Sequence, residues 1–448
     1  MQEGYAFFAD GRFKSHVFDS WKGRTKIGDI MAGNENTLIF SPGRIGNIEL
    51  KNRLVRSATY ENAATERGEV TDTLVQFYRT LGQGGVGLIV TGIVSVMGSY
   101  HVPHRSMLID DDRLVPGLAR ISNAVHDLGN QCKIMIQLHH PGRQVIGPAE
   151  RSRLMPFLPP ALRTVMQRAA QASPEATHQP VTDIVLPEPV APSARLDTMF
   201  NRTPRALSVA EIEEIVESFA QAVRRTQEAG FDGVQLHAGH GWLLSSFLSP
   251  HTNQRNDRYG GSTENRTRIV IEIFDHARRL VGEDFPILIK MNTIDFFSDG
   301  IDLEEAARMA EILAQTGFGA IETSGGMWEN VMRSKEDLGW PPYMLPESRT
   351  GIRGEDQEAY FLSGATAVKK RIQVPVILVG GLRSRHKVHA VLASGAADFI
   401  SLSRPLIRQP DLPSLWQSGR GPDRADCISC NACLVVGDIA TVCRQKKS

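Results

Sequence analysis

Apolar positions along this chain switch repeatedly between two periods. The clearest unit begins at Ser208, placed to cap a helix, with Glu211 at the capping-box position. Ile212, Ile215, Val216, Phe219 and Val223 then recur on one helical face. Ala229 and Gly230 supply a stop of the left-handed type, and 233–237 reads as a buried strand ending on His237. Similar helix-then-strand pairs end near Ile89 and Val90, Ile136 and Gln137, Ile289 and Lys290, Glu322 and Thr323, Leu378 and Val379, and Ile400 and Ser401. With an opening strand over 53–57 that makes about eight units, which predicts an α/β chain folded as a (β/α)8 TIM barrel. A doubly wound open sheet is the runner-up, but it calls for fewer strands and a phosphate loop after the first. Residues 82–87 match GxGxxG, yet they follow a helix and precede a strand, so they read as a helix stop and tight turn.

Several segments lie outside the repeat. Residues 1–36 form an expected N-terminal arm, and 38–50 an expected hairpin plugging the bottom of a barrel that spans 37–420. Residues 145–206, dense in proline and alanine, form a long β3–α3 insertion; connections of that length are commonly lids. A cysteine-rich tail occupies 421–448.

Composition narrows the class. The 448 residues carry 50 Lys plus Arg against 50 Asp plus Glu, which gives no attraction to nucleic acid or to a membrane surface. There is no apolar run of about 18 residues and no secretory leader, so a cytoplasmic protein acting on a small molecule is expected, as a homo-oligomer. Cys132 stands alone and reads as a buried, inert thiol. Cys427, Cys430 and Cys433 follow C-x2-C-x2-C spacing, with Cys443 further on, which points to metal or iron–sulfur ligation ahead of disulfides.

The C-terminal ends of barrel strands carry the chemistry in this fold. Here they read Ser57, Ala58, Thr59 and Tyr60; Thr91 and Gly92; Gln137; His237; Lys290; Ser324, Gly325 and Gly326; Gly380 and Gly381; Ser403 and Arg404. Glycine amides after strand seven and an arginine after strand eight make the expected phosphate cradle. Each residue alone has a structural explanation, as a rim or a turn. Together, every strand ends in something polar or unusually small.

These stretches, with 134–143, 231–266, 376–381 and 401–405, resemble the motifs of the old yellow enzyme family, the FMN-dependent ene-reductases, over roughly 38–420. The resemblance implies FMN, with NAD(P)H or a protein as electron donor. Ser57, Ala58 and Thr59 would contact the flavin through their backbone, Gly92 and Gly325 would line it, and Gln137 would bond its pyrimidine edge. Gly380, Gly381, Ser403 and Arg404 would hold the phosphate. Lys290 would stabilise the reduced anion. His237 and His240 would bond the carbonyl oxygen of an α,β-unsaturated substrate while hydride adds at the β-carbon.

Two positions depart from the family. Trp242 stands where a tyrosine commonly delivers the α-carbon proton, and an indole N–H donates hydrogen bonds but is no acid at neutral pH. Tyr60, Tyr100, a lid residue or water are the candidate substitutes. Tyr60 also stands where relatives often place a smaller group; narrowing the site, tuning the flavin and acting as the displaced acid are equally open.

The tail resembles the branch containing 2,4-dienoyl-CoA reductases and trimethylamine dehydrogenase, in which four cysteines hold a [4Fe–4S] relay. Here nine residues separate Cys433 from Cys443, fewer than in that branch, and structural zinc is the alternative. The sequence ends at Ser448 without that branch's FAD and nicotinamide domains, so a cluster would need an external electron-transfer protein. Reduction of an activated C=C bond is the leading function. An amine-type dehydrogenase, a lyase using Lys290 as Schiff-base nucleophile and a flavin-binding protein without turnover are the competitors.

Overall fold

The computed structural model describes residues 35–100, 105–145, 186–341, 345–434 and 440–445. Nearly all of the arm over 1–36 and most of the 145–206 insertion therefore fall outside the described residues. Eight parallel strands close into a barrel. They are β1 (Leu54–Arg56), β2 (Leu88–Ser95), β3 (Lys133–His139), β4 (Val234–Ala238), β5 (Ile287–Asn292), β6 (Ile321–Ser324), β7 (Val376–Leu378) and β8 (Phe399–Leu402). β8 returns to β1 with Ile400 opposite Leu54, and β1 pairs β2 with Val55 opposite Leu88, which seals the ring. The helices that alternate with the strands include α1 (Asp72–Gln83), α2 (Val115–His126), α3 (Val209–Glu228), α4 (Thr263–Val281), α5 (Leu303–Thr316), α6 (Leu362–Lys369), α7 (Arg385–Ala393) and α8 (Leu412–Gln417). None of the described helices is long and apolar enough to cross a membrane.

Local signals in the sequence explain the boundaries. Ser208 caps α3, Glu211 closes the capping box, and all five apolar positions of the expected face are buried. The GxGxxG stretch is indeed the end of α1 and the turn into β2. A Cβ on Gly84 would sit 1.8 Å from the carbonyl oxygen of Pro410, so only glycine lets the segment leading into α8 pack there.

The hairpin expected at 38–50 forms between Gly43–Ile45 and Ile48–Leu50, while Leu38 and Ile39 end a short helix instead. Ile45 and Leu50 cluster with Val55, Leu88, Val90, Met135, Leu288, Ala320, Ile377 and Phe399, closing the bottom of the barrel. Because side chains alternate along a strand, the next inward layer toward the C-terminal end is set by Gln137, Gln235, Lys290 and Glu322. That layer is polar and almost wholly buried. It is the floor of the site.

Candidate active site

Above this floor lies one cavity of about 280 Å³. It brings together Ser57, Ala58, Thr59, Tyr60, Gln137, His237, His240, Trp242, Lys290, Gly381, Ser403 and Arg404, all expected from the sequence. Gly92, Gly325 and Gly380 do not line it. A Cβ on Gly92 would strike the buried carboxylate of Glu61, to which its N–H donates, and the cavity wall there is Ile93. Gly325 packs toward Phe361 and Ile294, and Gly380 toward Phe361 and Tyr360. These three glycines shape the wall from behind. Tyr100 packs 4.4 Å from the His140 ring, away from the cavity.

The floor is a continuous polar chain. Lys290 Nζ lies 3.3 Å from Glu322 Oε1 and donates to Ser57 Oγ at 3.0 Å, which donates in turn to Glu322 at 2.7 Å. Gln235 Nε2 donates to the other carboxylate oxygen at 2.8 Å, and Gln137 Nε2 donates to Gln235 Oε1 at 2.8 Å. Burial raises the Glu322 pKa, but Lys290 and these hydrogen bonds outweigh it and hold the carboxyl below its ordinary value. Lys290 is thus held between a buried carboxylate and a hydroxyl at the floor.

His237 is the penultimate residue of β4, and His240 follows in a tight loop with φ of 65°, the left-handed region that a histidine seldom adopts. The loop is tied down: His240 N–H donates to Asn292 Oδ1 at 3.0 Å, and its carbonyl accepts from Gln144 Nε2 at 3.0 Å. The two rings lie 5.2 Å apart. His240 Nε2 pairs with Ser324 Oγ at 2.7 Å, whereas His237 Nδ1 has no partner among the described residues. Burial holds both imidazoles well below their usual pKa; His240 for His237, and Lys290 for both, push the same way. Both rings are neutral at physiological pH.

The roof is aromatic. Trp242 packs edge-on against His139 at 4.5 Å and Trp328 at 5.1 Å. Trp328 Nε1 donates to Glu347 Oε1 at 3.2 Å, while Glu347 Oε2 has no partner among the described residues. Burial pushes this cavity-lining carboxyl up to about 7, against the opposing hydrogen bond from Trp328 and the charges of Lys290 and Arg404. Sequence reasoning missed Trp328, Glu347 and Tyr360, which come from the long β6–α6 connection and carry no motif. Tyr60 lines the cavity and donates to Asn62 Oδ1 at 2.9 Å.

At the far end, Thr59 Oγ1 and Ser403 Oγ are 2.7 Å apart, and Arg404 Nη1 donates to Asn431 Oδ1 at 2.6 Å. Gly381 has φ of 71°, and a Cβ there would collide with Ile352 and Tyr360. Arg383 also lines this end, an arginine that no sequence motif singles out. The lining fits FMN. Two arginines and the Gly381 backbone suit a phosphate, the small 57–59 backbone suits a flat ring, and Gln137 and Lys290 suit its polar edge.

The tail packs onto the barrel. Ala425 N–H donates to the Arg383 carbonyl at 2.9 Å, and Thr441 N–H to that of Glu61 at 2.7 Å, so Ser429 and Thr441 become part of the cavity wall. Cys427, Cys430, Cys433 and Cys443 line one small separate cavity that shares Arg404 with the large one. Four converging thiols are a suitable donor set, but among the described residues no three Cys, His, Asp or Glu side chains are close enough to hold a metal ion. Cys132 is buried, its thiol pushed up to about 12 by burial, as expected of an inert core cysteine.

Comparison with known proteins agrees with this geometry. Residues 38–423 match the NADH:flavin oxidoreductase / NADH oxidase family. An NADH oxidase of Thermoanaerobacter brockii is 33% identical over 406 residues, 90% of this chain and 54% of that protein. This chain thus spans about half the length of that relative. A 2-naphthoyl-CoA reductase complex superposes with a TM-score of 0.74 at 26% identity, covering 91% of this chain and 56% of that one. An old yellow enzyme homologue from Zymomonas mobilis shares the fold, with a TM-score of 0.63 at 24% identity over 88% of this chain and 95% of its own. With the barrel, the strand-end cradle and a family match over nearly the whole described barrel, the chain belongs to the NADH:flavin oxidoreductase / NADH oxidase family.

Proposed function

We propose that this chain binds FMN and reduces an activated C=C bond conjugated to a carbonyl. The observation that carries the reading is the pair of buried imidazoles, His237 and His240, facing the same cavity as Lys290, which is paired with Glu322. FMN, reduced by NAD(P)H, supplies the hydride. His237 and His240 bind the carbonyl oxygen and stabilise the negative charge that develops there, in a buried site where such donors count most. Ser57, Ala58, Thr59 and Gln137 orient the ring, while Gly381, Arg383, Ser403 and Arg404 hold the phosphate.

Trp242 cannot protonate the α-carbon. Glu347 is the group suited to donate that proton, because it lines the cavity beside Trp328, has an oxygen without a partner among the described residues, and is pushed up to about 7 by burial. It delivers its proton to the α-carbon and recovers one from solvent. Trp242 and Trp328, packed edge to face, meanwhile give the cavity an aromatic wall against which an apolar conjugated substrate can lie.

The same aromatic wall beside a carboxyl favours one second reading, oxidation of an amine whose cation rests on the indole faces. Anaerobic titration of the flavin with NAD(P)H, followed by enones, enoates, enoyl thioesters and methylated amines, separates the two. Reoxidation by an unsaturated carbonyl supports ene reduction; bleaching of the oxidised flavin by an amine supports the second reading.

For the tail, we propose that the four cysteines load a thiolate-held iron–sulfur cluster, supported by their convergence on one cavity beside Arg404. An external electron-transfer protein would then be its partner. Iron and labile sulfide in anaerobically purified protein would support the cluster, and zinc alone would overturn it.

A further inference from the structure

Glu322 and Gln235 are fully buried and neither reaches the cavity, yet together they contact three residues that do. A carboxylate only accepts hydrogen bonds, so Gln235 must turn its Nε2 toward Glu322, as the 2.8 Å contact shows. Its Oε1 must then face Gln137, which must answer with Nε2. The one remaining polar atom of the Gln137 amide, Oε1, is left for the cavity. The usual ambiguity of amide orientation is removed here by the charge at the end of the chain. The same carboxylate faces Lys290 directly and through Ser57, so the positive charge presented to the cavity is partly neutralised.

We propose that Glu322 is a positioning residue for the flavin site: it limits the positive charge that FMN meets at Lys290 and, through Gln235, fixes Gln137 as a hydrogen-bond acceptor. A ligand edge at this floor must therefore present an N–H to Gln137 and an acceptor to Lys290, which an imide flanked by carbonyl oxygens does. The inference rests on the FMN reading given above, but not on the identity of the substrate.

The test is the midpoint potential and FMN affinity of purified holoenzyme, measured without substrate. Glu322→Gln removes the negative charge while keeping the shape. The reduced flavin anion should then bind about tenfold more tightly relative to the oxidised form, a rise of about 30 mV for a two-electron couple. Gln235→Met breaks only the amide relay, so FMN affinity should fall about tenfold with the potential unchanged. Glu322→Asp keeps the charge one methylene further from Lys290 and should give a smaller rise, which provides a second readout if Glu322→Gln does not fold. An unchanged or lowered potential in a folded, FMN-loaded Glu322→Gln or Glu322→Asp protein would overturn the charge role. Unchanged FMN affinity in Gln235→Met would overturn the relay. Failure of every substrate in the panel would leave these potentials untouched and count only against ene reduction.

Discussion

The floor and the roof of the cavity are built on different principles. The floor is made of strand residues whose direction is fixed by the pleat, and its polar atoms satisfy one another through Ser57, Gln137, Gln235, Lys290 and Glu322. The roof is made of connections, with Trp328 and Glu347 from the β6–α6 segment and Trp242 from the loop after β4, and it leaves a carboxyl oxygen without a partner among the described residues. A closed network holds a cofactor in one orientation. An open one leaves a group available for proton transfer, and such groups sit on loops carried by a rigid scaffold.

Breaking the floor should have the largest effect. Lys290→Met strands the buried Glu322 carboxylate, so it should destabilise the protein by about 3–5 kcal/mol and strip most of its FMN, as thermal unfolding and flavin absorbance would report. Breaking the roof should spare the cofactor. Glu347→Gln should retain FMN but slow oxidation of the reduced flavin by an enone about 100-fold at pH 6. In the unaltered protein that rate should fall as pH rises through about 7, because the acid must be protonated to donate. The falling limb should be absent in Glu347→Gln.

Trp242→Tyr probes the roof by gain of function. A phenol at this position should speed the same step about tenfold at pH 8 and move the falling limb toward the ordinary tyrosine value of about 10. The smallest effect on the flavin site is expected from Cys430→Ser. Iron content should drop, while FMN content and the enone rate stay within about twofold, since Arg404 is the one lining residue the two cavities share and Cys430 does not line the large one.

The same division governs what could be read from the sequence. The eight strand ends were legible because strand periodicity and helix caps such as Ser208 with Glu211 are local signals. Thus Ser57, Gln137, His237 and Lys290 fall where the repeat places them. Gly92 misled because strand two does not end there: β2 runs on to Ser95, and Gly92 sits at an irregularity between Val90 and Ile93, where the close approach is that of Glu61 from behind. Glu322 carried no distinguishing signal in the short strand Ile321–Ser324, where Thr323 and Ser324 are polar too, since its partners are 32, 87 and 265 positions away. Glu347 and Trp328 had no periodic signal, because a long connection is positioned by tertiary contacts. Arg383 sits directly after the glycine turn, so a search for cations beside Gly381 would have found it.

The proposed chemistry stands or falls on His237 and His240 acting as a carbonyl clamp over a bound flavin. The decisive experiment mixes anaerobically reduced His237→Ala/His240→Ala protein with an enone and follows flavin reoxidation against the unaltered protein. A fall of about 100-fold or more is expected, with FMN content preserved. Equal rates in the two proteins would refute the clamp.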